Sequence, residues 1–298
     1  MAARSTLRAD ALLLLTALIW GFAFAFQRQG MEAMDPFAFG AVRFALGAVS
    51  LVPLLVLLRR RAALPDYPPR SLAWRAAGAA AAGLVLFAGA SLQQIGLVST
   101  TAANAGFITC LYVILVPMAG AFLGKPAGPR IWAGALLALA GLWFLSIRDG
   151  FTMAPGDLYV LLGALFWTAH ILLINWLVAR MEALEIAIGQ FATCATLSLA
   201  AALLAEPDPF AGVGPAAVPI LYGGLLSIGV AYTLQIVAQR TAHPARASII
   251  LSMEALFAGV GGVLLLGEPV TRRLVVGGAL MLAGMIVSQL EPRGAPAG

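Results

Sequence analysis

Apolar runs of roughly twenty residues follow one another along almost the whole chain, separated by short breaks rich in proline, glycine and charge. Ten runs are legible, at about 10–28, 36–58, 73–95, 101–123, 130–147, 156–179, 184–205, 216–238, 245–266 and 273–290. A helix rises 1.5 Å per residue, so about 20 apolar residues cross the ~30 Å hydrocarbon core of a bilayer. Backbone groups in lipid must be bonded within their own segment, which makes each run a helix rather than a strand. The breaks carry ordinary stop signals: Asp35-Pro36, Lys125-Pro126, Pro155-Gly156, the Glu206 to Pro209 stretch and His243-Pro244. Pro53 and Pro117 fall inside runs and predict a bend or a local opening there.

Composition agrees. Hydrophobic residues make up 61% of the 298 and charged residues only 10%, so the chain cannot present an ordinary water-facing surface. The expected class is an all-α membrane protein that crosses the bilayer ten times. The net charge of +5 does not point to nucleic acid, because the basic residues sit in short connections between runs. With the N-terminus on one side and every run crossing, thirteen Lys and Arg fall on that side and four on the other, Arg43 lying inside a run. The positive-inside rule then places both termini in the cytoplasm. Cys110 and Cys194 lie in apolar runs and read as small core residues. No metal site or cofactor motif is present in the sequence. The first run resembles a secretory signal, with Arg4 and Arg8 before it and Ala23-Phe24-Ala25 after. Ala17-Leu18-Ile19-Trp20 returns as Ala164-Leu165-Phe166-Trp167, so that run is expected to belong to the mature fold.

That recurrence is general. Residues 124–143 match residues 267–286 at eight of twenty positions, including Gly124 with Gly267, Arg130 with Arg273, Gly134 with Gly277 and Gly141 with Gly284. Leu92-Gln93 answers Leu234-Gln235, and Arg43-Phe44 answers Gln190-Phe191. Two similar halves of five crossings each, 10–147 and 156–290, must enter the membrane in opposite senses. Inverted repeats of this kind are a transporter architecture, with the substrate near the midplane between the halves.

The residues resemble the EamA repeats of the drug/metabolite transporter superfamily. The stretch from Ile249 to Phe257, with Glu254 in mid-helix, followed by Gly267-Glu268, is similar to that family's penultimate helix. Trp20-Gly21, and Pro36 with Arg43, also fit. Many relatives have proline after the glutamate, where this chain has Ala255. The resemblance covers nearly the whole chain and is greatest to bacterial exporters of aromatic and other amino acids. It implies a basket of ten helices around a central cavity lined by runs 1, 3, 4, 6, 8 and 9, in a bacterial inner membrane.

Candidate residues follow from the polar positions inside the runs. Trp167 and His170 are three apart and share a helical face, which Gly163 and Ile174 extend. Trp20 is the repeat-mate of Trp167, and mid-membrane tryptophans suit the wall of an aromatic or cationic ligand site. Tyr232, Gln235 and Gln239 form one stripe. Phe87, Ser91 and Gln94, with Gln93 beside them, form a second, and Asn104, Ile108 and Tyr112 a third. Each stripe alone would be explained by bonds between helices; together they predict a shared polar cavity. Glu254, with Pro117, is the candidate for gating or coupling, since an intramembrane carboxylate is costly unless paired or protonated. Arg43, about seven residues inside its run, is near enough to the surface to snorkel or to pair with Asp35 or Glu32, and reads as structural. The seven-residue spacing of Gly134/Gly141 and Gly277/Gly284 reads as close packing or as an oligomer contact.

The expected activity is export of small organic solutes, most of all amino acids, by alternating access, in a monomer or homodimer whose other partner is membrane lipid. A multidrug or lipophilic-cation exporter, with Glu254 as counter-ion, is the alternative. An intramembrane enzyme is the remote one: there is no HExxH, no Gly-x-Ser-x-Gly and no intramembrane pair of aspartates. Nor does any run carry a repeated filter of the kind channels use.

Overall fold

A computed structural model describes residues 2–60, 70–100, 102–146, 155–266 and 270–290. The regular structure among those residues is helical, with no strand among them. In order they form α1 (Ala2–Gly30), α2 (Pro36–Arg60), α3 (Leu72–Ser99), α4 (Ala102–Thr109), α5 (Tyr112–Phe122), α6 (Pro129–Ser146), α7 (Pro155–Val178), α8 (Ala183–Ala205), α9 (Ala217–Leu221), a π-helix π1 (Tyr222–Tyr232), α10 (Thr233–Ala238), α11 (Pro244–Leu251), α12 (Glu254–Leu266) and α13 (Arg272–Gln289). Seven helical stretches among them are long and apolar enough to cross a membrane, and Pro129–Phe144 is a shorter apolar helix. Outward-facing Phe122 and Leu204, both nearly fully exposed, suit a surface solvated by lipid. The Gly267 to Pro269 part of the internal repeat lies outside the described residues.

Three of the expected runs are not uniform helices. The run at 101–123 is interrupted at Cys110-Leu111, where Leu111 N–H bonds back to Ile108 and Val113 N–H to Cys110, three residues rather than four. The run at 245–266 is interrupted in the same way at Ser252-Met253, where Met253 N–H reaches Ile250 and Ala255 N–H reaches Ser252. The run at 216–238 widens into π1 for eleven residues. Periodicity carries no signal for any of these, because an apolar stretch stays apolar whether its turns are tight or wide.

Helix starts are fixed by capping. Ser71, Glu182 and Thr271 accept the free amides of the first turns of α3, α8 and α13. The Phe37 and Ala38 amides of α2 are capped from a distance, by the Glu206 carboxylate at 2.7 and 2.9 Å. Partial burial pushes that carboxyl above its ordinary range while the two amides pull it back. At the other end of the bundle Glu185, in the first turn of α8, pairs with Arg59 and Arg75.

Glycines set the closest approaches. A Cβ on Gly134 of α6 would lie 2.6 Å from the Gly284 carbonyl oxygen, and one on Gly284 of α13 would lie 2.5 Å from that of Gly134. One turn-pair further, a Cβ on Gly141 would lie 2.5 Å from the Gly277 carbonyl. The seven-spaced glycines therefore face one another within the chain. A second antiparallel seam, α3 on α7, pairs Gly96 with Gly156 and Gly89 with Gly163. The other extensive contacts are α2 with α8, α3 with α8, and α1 with α12. Two large apolar clusters result, one mainly from α1, α4, α5, α6 and α11, the other mainly from α2, α3, α7 and α8. Trp20 and Trp167 touch both clusters. The cavity lies between them.

Candidate functional site

A narrow cavity of about 50 Å³ lies inside the bundle. Its walls come from α1 (Trp20, Phe24, Gln27), α2 (Arg43), α3 (Gln93), α4 and α5 (Thr109, Tyr112), α7 (Trp167, His170, Ile171), the π1–α10 segment (Ser227, Tyr232, Gln235) and α11–α12 (Leu251, Glu254). Eight candidates from the sequence meet there: Trp20, Gln93, Tyr112, Trp167, His170, Tyr232, Gln235 and Glu254. Four lie elsewhere. Phe87 stacks on Phe37 with centroids 6.3 Å apart, and Gln94 donates to Gln27 Oε1 at 3.2 Å. Pro117 borders a separate cavity at the α5, α7 and α11 ends, with Asn175, Trp176 and His243. The side chain of Asn104 is outside the described residues. Gln239, from the same stripe as Gln235, turns away and donates to the Ile171 carbonyl at 3.0 Å. Gly163 faces the α3 seam rather than the cavity.

Gln93 is the hub of the polar wall. Its amide nitrogen donates to Gln27 Oε1 at 3.2 Å, and its oxygen accepts from Trp167 Nε1 at 3.1 Å and Thr109 Oγ1 at 3.4 Å. One side chain thus joins α1, α3, α4 and α7. Trp20 has a different partner: its Nε1 donates at 3.1 Å to the Ser227 carbonyl of π1. Thr16 Oγ1 reaches the Ala231 carbonyl at 3.2 Å, and Tyr222 donates to the Ile19 carbonyl at 2.9 Å. The widened π turn leaves carbonyls for α1 to bond, and π-helical turns are frequent at functional sites. Tyr232 is the centre of the aromatic wall, 4.6 Å from Trp20 and 6.4 Å from Trp167 between centroids. His170 crosses it edge-on at 5.9 Å while bonding Gln190 at 2.9 Å.

Glu254 sits where the two interrupted helices meet. It occupies the first turn of α12, where the helix dipole favours a negative group. Tyr112 O–H donates to its Oε1 at 3.0 Å, and the Cys110 thiol donates at 3.4 Å. The Cys110 sulfur also lies 3.7 Å from the Ser252 carbonyl. Gly21 of α1 packs onto this point, since a Cβ there would lie 2.6 Å from the Glu254 carbonyl and 2.5 Å from Phe257 Cβ.

Arg43 neither reaches the surface nor pairs with Asp35 or Glu32, contrary to what its position near the end of its run predicts. It is only 4% exposed, and Asp35 and Glu32 remain exposed. Its guanidinium lies 5.2 Å from the Phe39 ring centre and 5.1 Å from that of Phe44. No ion pair to it occurs among the described residues, and its Nε has no hydrogen-bond partner. A cation inside the membrane costs at least about 2.5–3.5 kcal/mol, which two ring faces at ~0.5–2 kcal/mol each offset in part. The aromatic residues four before and one after Arg43 hold the side chain inward, and that local pattern was available in the sequence.

Polar contacts join the helices toward each end of the bundle. At one, Arg28 donates to the Leu97 carbonyl at 2.5 Å and Thr100 bonds Asp157. At the other, Asn175 donates to the Gln239 and Ala242 carbonyls at 3.2 and 3.4 Å and Arg246 pairs with Asp10.

Comparison with known proteins adds the following. The EamA-like transporter family matches residues 7–147 and again 154–289. An uncharacterized transporter of Archaeoglobus fulgidus is 32% identical over 286 residues, 96% of this chain and 87% of that protein. An uncharacterized protein of Pseudomonas aeruginosa is 34% identical over 265 residues, 88% of this chain and 86% of its own. A crystal structure superposes with a TM-score of 0.76 at 22% identity, covering 95% of this chain and 96% of the other, a likeness of fold.

Proposed function

The chain belongs to the EamA-like transporter family, and from that premise we propose that it exports small organic solutes, amino acids above all, across the bacterial inner membrane by alternating access. The observation that carries this is the cavity itself. It lies inside the bundle, it is walled by Trp20, Trp167 and Tyr232, and both halves of the chain contribute to it. Small-molecule sites are concave and largely apolar with a few converging polar groups, and this cavity has that composition. It acts as a carrier site, not a catalytic one.

The two halves, 10–147 and 156–290, are proposed as inverted five-helix repeats, with ten crossings and both termini cytoplasmic. Helix packing supports this. Contact of α1 with α12 has its counterpart in α7 with α4 and α5, and α3–α7 has its counterpart in π1–α10 with α1. The α2–α8 and α6–α13 contacts are their own counterparts. The interruptions at Cys110-Leu111 and Ser252-Met253 fall at equivalent places and touch, as discontinuous helices do at the midplane of inverted-repeat transporters. The contacts between helices toward either end are polar and few, which suits an end that opens while the other holds.

Reconstitution into liposomes tests the function. Counterflow of labelled amino acids, organic cations and sugars is measured on vesicles preloaded with the unlabelled solute. Saturable exchange of an amino acid, with none of the cations, is expected. Exchange of cations alone would transfer the cavity to the lipophilic-cation alternative, with Glu254 as counter-ion.

A further inference from the structure

Arg43 lines the cavity with no anion to meet it among the described residues. Arginine is permanently protonated and presents its donors in a planar fork that matches a carboxylate. Here the fork is held in place. Phe39 and Phe44 flank it, and Gly223 of π1 packs beside its aliphatic stem. Nε is unpartnered, and no described carboxylate lies within ion-pair distance. On the same cavity stand Glu254 and Tyr232. The wall therefore presents a cation, an aromatic surface and an acid.

We propose that Arg43 anchors the carboxylate of a zwitterionic substrate, with the ammonium facing Glu254 and the side chain against Trp20, Trp167 and Tyr232. This rests on the amino-acid reading and narrows it. A solute that is only cationic is repelled by Arg43, and one that lacks a carboxylate leaves its donors unpaired. Sites built to pair a polar group reject the analogue lacking it far more strongly than apolar pockets reject a change of size.

The test uses labelled L-phenylalanine, or whichever amino acid exchanges best in the counterflow panel, with its amide and its deaminated acid as competitors. In the wild-type protein the amide should compete about tenfold or more less well than the amino acid. Arg43→Gln should weaken the amino acid by a similar factor and leave the amide unchanged, so that the discrimination disappears; Arg43→Lys should keep part of it. Competition by the amide shows that the variant is folded. Phe39→Leu, which takes away one of the two ring faces that hold the guanidinium without removing the cation, should shift the same ratio in the same direction and serves if Arg43→Gln does not fold. Equal competition by amino acid and amide in the wild type, or discrimination that survives Arg43→Gln, overturns the proposal and leaves amino-acid transport standing. Absence of exchange for every amino acid removes both.

Discussion

Glu254 illustrates what a single residue decides. Its carboxylate accepts from Tyr112 and Cys110, and an amide oxygen can accept the same two bonds. Glu254→Gln should therefore fold and exchange solute much as the wild type does. Glu254→Ala leaves the buried Tyr112 hydroxyl unpaired, at about 1–3 kcal/mol, and should lower the unfolding temperature measurably. Transport driven by a pH gradient separates the roles: if Glu254→Gln loses the response to the gradient yet retains exchange, the carboxyl carries protons, and its role is not limited to holding or gating α12. Trp167 bonds only the Gln93 side chain, so Trp167→Ala should lower exchange several-fold at unchanged protein abundance. Normal exchange in that variant would reduce Trp167 to packing. Periodicity found the wall but not its exact members. Gln93 and Gln94 are adjacent and equally polar, both donate to Gln27, and only their packing puts Gln93 on the cavity wall. Gln27 itself lay at the expected end of its run, where polar residues are ordinary.

At the scale of elements, the apolar runs were legible because lipid demands them, and the glycine spacing was legible because small residues are needed wherever helices close in. Which helix each glycine face meets was not. Sequence left packing within the chain and contact between copies both open for Gly134 and Gly141; the reciprocal approach of Gly134 and Gly284 assigns them to the α6–α13 seam. Gly134→Leu should push α13 away and destabilise the protein by roughly 1–3 kcal/mol or more, read as a lower unfolding temperature in detergent. Leu136→Ala, on the exposed face of the same helix, should leave that temperature nearly unchanged. The interruptions and π1 escaped notice for a different reason. They depend on how a turn closes against its neighbours, and the same apolar letters allow a tight, regular or wide turn.

For the whole molecule, the ends that touch agree with an up-and-down path. Asp10 with Arg246, Arg59 with Glu185, and Arg130 with the Leu290 carbonyl join positions that a ten-crossing chain brings to one face. Glu206 with Phe37 joins positions on the opposite face. Impermeant thiol reagents added outside intact cells should label a cysteine placed at Asp208 and not one placed at Arg60. The reverse labelling would invert the orientation drawn from the charge count. The central claim is that solute passes through the cavity and that either closed end alone stops it. It is tested most directly by counterflow of the exchanged amino acid in a protein whose Cys110 and Cys194 are first replaced. Reducible cross-links are then placed between Arg28 and Leu97 at one end, or between Asn175 and Ala242 at the other. Each cross-link by itself should abolish exchange, and reductant should restore it. Exchange that continues with either end cross-linked would contradict passage of solute through this cavity.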